Sequence, residues 1–302
     1  MESLEELKAK YKLSDEEHDK IFEQIKRIML FGKHSVPNPK AIIDIAPPGS
    51  GKTGLNIYGA RQFIDNNVVI INSDEIKPFH PKVDEIARLY PQYFTKVTDQ
   101  ESNTWTSDLF NYALANGYNV IFEGTGKNTR ILDTIREKMS NYDVTVRCLT
   151  VNEINCLISI LERYEGQVQT KGYGRLVTLD HFYETYNAIT NTMDAIEESG
   201  IVDHIEVFKR GLFPDNPLKI YEKDNVTNVF DKASSAISIG REKDACAANQ
   251  YFNKIVKDMS QLLKNKGASE EEIKIFQKIV ELNQNYEQTF NDTCGKTKWI
   301  FI

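Results

Sequence analysis

Apolar positions first recur at helical spacing. Over 3–31, leucines, isoleucines and phenylalanines stand among charges in the i, i+3, i+4 rhythm of one or two amphipathic helices. Ser14 followed by Glu17 has the pattern of a capping box that starts the second. FGKHSVPNPK (32–40), closed by two prolines, interrupts that rhythm as a linker. The period then changes. Short apolar runs at 42–45, 68–72 (VVIIN), 119–123 (NVIFE), 144–151 (VTVRCLTV) and 203–209 (DHIEVFK) predict strands, the last of these closing the set. Helical patterns at 53–66, 82–90, about 100–116, 128–140, about 152–165 and 178–199 fall between them, with a glycine-containing connection, QTKGYGR, before the last. Such alternation predicts an α/β fold: a parallel sheet with helices on both faces, joined by right-handed crossovers. Past about residue 215 the chain turns polar and mixed, and two helices follow at 244–263 and 269–290, with Ser269 as a cap. Three parts result: an N-terminal helical segment and linker (1–37), an α/β core (38–215) and a mainly helical extension (216–302).

Composition narrows the function without naming it. A length of 302 residues with 40% hydrophobic content supports a sizeable core. A net charge of −7 argues against a nucleic acid partner, which usually needs a basic surface. No apolar run is long enough to span a bilayer, and the acidic, helical N-terminus does not read as a signal peptide, so no membrane contact and a cytoplasmic location are expected. Cys148, Cys156, Cys246 and Cys294 are widely spaced and read as reduced structural thiols. The five histidines do not cluster, so no zinc site is expected.

The most informative stretch is IIDIAPPGSGKTGLNI (42–57). A predicted strand runs into a tight turn, and Lys52-Thr53 opens a helix. This is a P-loop, in which glycines let backbone N–H groups curl around a phosphate at a helix N-terminus. Ala46 stands where the G-x-x-x-x-G-K-S/T pattern begins with glycine. Pro48, Gly49, Ser50, Gly51, Lys52 and Thr53 would bind ATP, with Lys52 on the β/γ-phosphates and the Thr53 hydroxyl on Mg²⁺. The sheet is therefore a P-loop NTPase-type sheet, with its ligand beyond the carboxyl ends of the strands. Two carboxylates stand there. Asp74, after the second strand, is placed to accept the proton of an attacking hydroxyl, the plainer alternatives being an N-cap or a water-mediated metal contact. Glu123, ending the third strand, would orient an acceptor or simply bond backbone N–H groups. Arg163, in LERYEG, and Arg175, in a loop that could close as a lid, would supply positive charge over a transferring phosphate; ordinary ion pairs are the alternative. Lys171 is nearby. His80-Pro81 reads as a turn and helix start, and Phe79, Tyr90, Tyr93, Phe94 and Trp105 as an acceptor wall or as core.

With these residues in place the chain resembles the zeta toxin family of P-loop kinases. PPGSGKT (47–53) matches the family's loop. SDEIKPFHPKVDEIARLY (73–90) matches its aspartate, histidine-proline and acidic helix. A strand ending in EGTG (123–126), an ERYE segment (162–165) and a second arginine, Arg175, complete an ordered set over about 38–212. The resemblance implies ATP/Mg²⁺-dependent phosphorylation of a UDP-N-acetylamino sugar hydroxyl by a toxin that blocks peptidoglycan synthesis, held in check by a helical antitoxin. By position, Lys52 and Thr53 would hold the triphosphate and metal, Asp74 would be the base, Glu123 and Thr125 would bind the acceptor, and Arg163 and Arg175 would neutralise the phosphate.

Two positions depart from that pattern, both on the acceptor side. Ser107 stands where the family places a glutamate, and Lys127 where it often has arginine. They leave open a kinase of another nucleotide acceptor such as NAD, and beyond that a non-catalytic ATP-binding regulatory module, which would need Lys52 and Thr53 but not Asp74. The added helices at 1–31 and 244–290 raise a further expectation, that one of them covers the P-loop in cis as a built-in inhibitor.

Overall fold

In the computed structural model, which describes residues 2–289 apart from 212, 214, 247 and 248, the strand before the P-loop forms the middle of the sheet. This strand, β1 (Lys40–Ile45), alternates faces: Ala41, Ile43 and Ile45 enter one core, and Ile42 and Asp44 face the other way. The sheet runs β2 (Val69–Ile71), β3 (Val120–Gly124), β1, β4 (Asp143–Thr150), β5 (His204–Lys209), β6 (Leu218–Glu222). The first five strands are parallel, and β6 is antiparallel to β5. The chain leaves β1 for β2, returns to insert β3 between them, then crosses to β4 on the other flank. That reversal puts the carboxyl ends of β1, β3 and β4 at a switch point, where α/β sheets bind ligands.

Helices cover both faces. On one lie α6 (Phe94–Ala115), α9 (Leu179–Ser199) and α10 (Ala233–Cys246), where Trp105, Leu109, Ile189, Met193, Ala236 and Ile237 meet the β1 residues above. On the other lie α3 (Lys52–Ala60) and α8 (Glu153–Lys171), α3 packing on Ile42 and Ile121. α3 approaches the sheet closely because Gly59 has no side chain: a Cβ there would stand 2.8 Å from Arg147 Nη1. The N-terminal α1 (Leu4–Tyr11) and α2 (Asp15–Met29) pack on the far side of α6, and α2 begins with the expected capping box of Ser14 and Glu17. α11 (Asn249–Lys266) and α12 (Glu270–Thr289) form a hairpin against α8, burying Phe252, Met259, Ile275 and Ile279; residue 290 of the expected helix lies outside the described residues.

Several boundaries differ from the sequence pattern for local reasons. α3 stops at Ala60, where i→i−3 turns at Gln62 and Phe63 lead into a short 3₁₀ turn in which Asp65 and Asn66 adopt left-handed backbone. α6 starts at Phe94, since Phe94, Val97 and Thr98 all point inward. α8 continues to Lys171, so the first residues of QTKGYGR are helical, and Gly172 ends the helix with φ +78°. The sheet does not end at 209: β6 adds an edge strand, and α10 packs on α9, β4 and β5, so the polar stretch after 215 contributes to the same sheet and core. Cys148 and Cys156 are free and buried, and burial pushes each thiol up to about 12; the Cys246 side chain and Cys294 lie outside what is described. No described helix is long and apolar enough to cross a membrane.

Candidate active site

The P-loop begins where β1 ends. Gly49 (φ +76°) and Gly51 (φ +95°) take backbone conformations that L side chains rarely adopt, and a Cβ on Gly49 would collide with the Cys156 carbonyl oxygen. Positive φ at both glycines turns the loop into a concave backbone nest suited to phosphate oxygens. Lys52 folds back, its Nζ donating to the carbonyls of Ala46 (2.9 Å) and Pro47 (3.4 Å). Burial weakens its charged form, against attraction from Glu123. Thr53, in the first turn of α3, presents its hydroxyl at the same cavity of about 300 Å³, which Pro48, Ser50 and both glycines also line. The residues thus suit a triphosphate on the loop and Mg²⁺ on Thr53.

Across the cavity β2 ends at Ile71, and Asn72 caps the one-turn α4 (Ser73–Ile76) by accepting from the Asp74 N–H at 2.8 Å. Asn72 is therefore the N-cap, and the Asp74 carboxylate is left to face the cavity. Its Oδ1 accepts from Lys77 Nζ (3.0 Å) and from Arg175 Nη1. Burial alone would raise its pKa, but Arg175, Lys77 and Arg163 outweigh it and hold the carboxyl below the usual carboxylate range. Lys77, almost wholly buried, is anchored by Asp99 of α6 at 2.8 Å. Arg163 projects from α8, and burial weakens its charged form against the pull of Asp74. Arg175 lies in the 172–178 connection, its N–H bonded to Gln167 Oε1 at 2.8 Å. A second cavity of about 650 Å³ shares the wall of Asp74, Arg163 and Arg175, and Lys171 lines it.

Glu123, at the end of β3, accepts at Oε1 from Asn56 Nδ2 of α3 and from Asn72 Nδ2 (2.9 Å). Its partners are side-chain amides rather than backbone N–H groups, and burial raises its pKa. Thr125 joins it at the cavity. Behind Glu123 a polar row crosses the sheet under α3: Asp44 lies opposite both Glu123 and Arg147, and Arg147 opposite Glu206. Arg147 bonds Glu206 (Nε to Oε2, 2.8 Å) and Gln62 (Nη2 to Oε1, 2.5 Å). Asp44 is fully buried and neither of its oxygens has a partner, nor does Arg147 Nη1.

Two sequence candidates stand elsewhere. Ser107 is on an exposed position of α6 and does not line the cavity. Helix periodicity explains it: the side of α6 that reaches the site carries Asp99, through Lys77. Lys127 also falls outside the lining and pairs with Glu184 of α9 at 2.5 Å. Trp105 is buried with His18 stacked on it, and Tyr90, Tyr93 and Phe94 pack with α1, so these aromatics are core rather than an acceptor wall, though Phe94 also lines the second cavity. His80 is buried, its Nε2 3.1 Å from the Tyr11 carbonyl and its Nδ1 accepting from the Lys82 N–H, which makes it the expected turn. Among the described residues, none from 1–31 or after 243 lines the cavity over the P-loop.

Among the residues lining or supporting the cavity, the sequence pattern did not point to Asn56, Asn72, Ser159, Val177, His181 or Arg210. Arg210 carried a readable signal, since it directly follows a predicted parallel strand. His181, in the first turn of α9, had none.

Sheet order, P-loop and strand-end carboxylates together define a P-loop NTPase-like α/β protein. Comparison with known proteins gives the family. The zeta toxin family model matches residues 25–234, and the chain belongs to the zeta toxin family of toxin–antitoxin systems. It is 27% identical over 217 residues to toxin zeta of Enterococcus hirae (70% of this chain, 73% of that one), and 24% identical over 208 residues to the PezT toxin of Streptococcus pneumoniae serotype 4 (68% and 80%). A solved structure from the Streptococcus pneumoniae PezAT toxin–antitoxin system superposes with a TM-score of 0.64 at 18% identity, covering 92% of this chain and 99% of that chain, and supports the fold.

Proposed function

We propose that the protein is an ATP- and Mg²⁺-dependent kinase that phosphorylates a hydroxyl of a UDP-N-acetylamino sugar, acting as the toxin of a toxin–antitoxin pair. The observation that carries this reading is that Asp74, Arg163 and Arg175 face the P-loop lysine across one cavity. A nucleotide-binding module has no need of a carboxylate opposite the phosphates. In the proposed reaction Lys52 leaves the loop carbonyls for the β/γ-phosphates. Mg²⁺, held at Thr53, supplies charge neutralisation on those phosphates. Asp74, kept ionised by Arg175 and Lys77, receives the acceptor proton; a low basicity is tolerable because the transition state of phosphoryl transfer is loose and the proton leaves late. Arg163 and Arg175 neutralise charge on the transferring group. Glu123, pinned by Asn56 and Asn72, and Thr125 orient the acceptor. The antitoxin is a separate chain in this reading.

A second reading changes only the acceptor, to NAD or another nucleotide, and the placement of Ser107 and Lys127 outside the cavity favours it. The test is transfer from γ-labelled ATP to UDP-GlcNAc, UDP-GalNAc, NAD and other nucleotides, with Asp74→Asn as control. Label on a UDP-sugar that vanishes in the variant supports the first reading, and label on another nucleotide the second. A wild type that binds ATP but labels none of them is a binding module, and the kinase proposal fails.

A further inference from the structure

Four carbonyls of the P-loop are held by two cations. Lys52 takes those of Ala46 and Pro47. Arg210, the first residue after β5, takes the next pair: its Nε donates to the Ser50 carbonyl at 2.8 Å and its Nη2 to the Gly49 carbonyl at 2.5 Å. Nη2 also reaches Ser159 Oγ of α8 at 3.2 Å, which fixes the guanidinium from behind. The fork of an arginine suits two successive carbonyls in a way that a lysine does not.

The two holds differ in what a bound triphosphate does to them. In a trans peptide the C=O and N–H point in opposite directions. Drawing the Gly49 and Ser50 carbonyls to Arg210 therefore turns the N–H groups of Ser50 and Gly51 to the opposite side, where the Ser50 N–H donates to the Pro47 carbonyl at 3.3 Å. When Lys52 moves to the phosphates, Ala46 and Pro47 lose their cation, whereas Arg210 can keep its bonds. The Gly51 backbone also lies close under the guanidinium: a Cβ there would be 3.8 Å from Nε.

We propose that Arg210 is a positioning residue for the donor nucleotide: it holds the Gly49–Ser50–Gly51 peptides in their phosphate-binding orientation and sets the affinity for the triphosphate. The inference rests on the kinase reading for its ligand but not on the identity of the acceptor. Its mark is selectivity. Arg210 touches the loop and Ser159, not Asp74, Glu123 or Thr125, so it governs ATP and leaves the acceptor alone.

The experiment measures binding of a fluorescent ATP analogue, and KM for ATP and for the acceptor, in the full chain and in Arg210→Ala, Arg210→Gln and Arg210→Lys, with Lys52→Ala as the reference for a disabled loop. Arg210→Ala is expected to weaken nucleotide binding about tenfold or more, since it removes charge-assisted hydrogen bonds to the loop. Arg210→Lys should fall between, acceptor KM should stay within twofold, and added guanidinium ion should restore part of the loss in Arg210→Ala. A merely structural arginine would lower thermal stability and shift both KM values together without rescue. If Arg210→Ala does not fold, Arg210→Gln, which keeps length and polarity, carries the test. Nucleotide affinity within twofold of wild type in the Ala or Gln variant, while Lys52→Ala abolishes it, overturns the inference and leaves the kinase reading standing. A wild-type chain that binds no ATP overturns both.

Discussion

Asp44 carries an internal electrostatic cost. It sits on the central strand, fully buried between Glu123 and Arg147, with no hydrogen bond to either oxygen. Burial pushes its carboxyl up from the ordinary 3.8 to about 7; Arg147 and Lys52 pull the other way, while Glu123 and Glu206 add to the rise. The folded chain thus binds this proton more tightly than the unfolded chain. The cost is absent below about pH 4, grows through the window up to about 7, and is complete above it, where it amounts to something on the order of 4 kcal/mol. Asp44→Asn keeps the shape and removes the titration. The variant should therefore be more stable than wild type, with an advantage about 2 kcal/mol larger at about pH 8.5 than at about pH 5.5. Urea unfolding at the two pH values, followed by far-UV circular dichroism and by fluorescence of the buried Trp105, measures it, provided that the two probes give coincident transitions. An advantage that vanishes or reverses at the higher pH would refute the reasoning. It would mean that Asp44 is ionised and held by Arg147, in which case removing its charge leaves a buried guanidinium short of a partner.

Two further outcomes test the site. Gly49→Ala should abolish nucleotide binding and lower stability, because it combines a φ of +76° with a collision against the Cys156 carbonyl; a nucleotide titration beside a thermal melt checks both effects. Arg175→Ala should lower kcat by about 10³ or more while ATP binding changes little. It also removes the strongest attraction on Asp74, whose pKa then rises, so the acid limb of the kcat–pH profile should move to higher pH. An unmoved limb would assign that limb to another group.

The two halves of the site were unequally legible in the sequence, and the reason is geometric. Most of the site residues follow strands. A parallel strand delivers the residue after its last pair to the carboxyl edge of the sheet whatever the helices do, so Lys52, Asp74, Glu123 and Thr125 could be placed from short apolar runs alone, and Arg210 could have been. Arg163 and Arg175 were found by their motifs: the middle of α8 passes the cavity, and the connection after α8 returns to it. A candidate on a helix, such as Ser107, is harder to place, because one residue there is about 100° of rotation. Ser107 and Asp99 are both on α6, yet only the face bearing Asp99 turns to the site, and no local pattern says which face that is before α2 has claimed the other through His18 and Trp105. The same logic explains the missed β6 and α10. An antiparallel edge strand with one wet face has little apolar signal: LKIYE buries Tyr221 but leaves Leu218 and Lys219 exposed. Helix α10 joins the core through small residues, Ala233 and Ala236, with Ile237 the only large side chain among them. On the kinase reading, the rotation of helices on this sheet would then tune the acceptor, and variation there would leave the P-loop and Asp74 undisturbed.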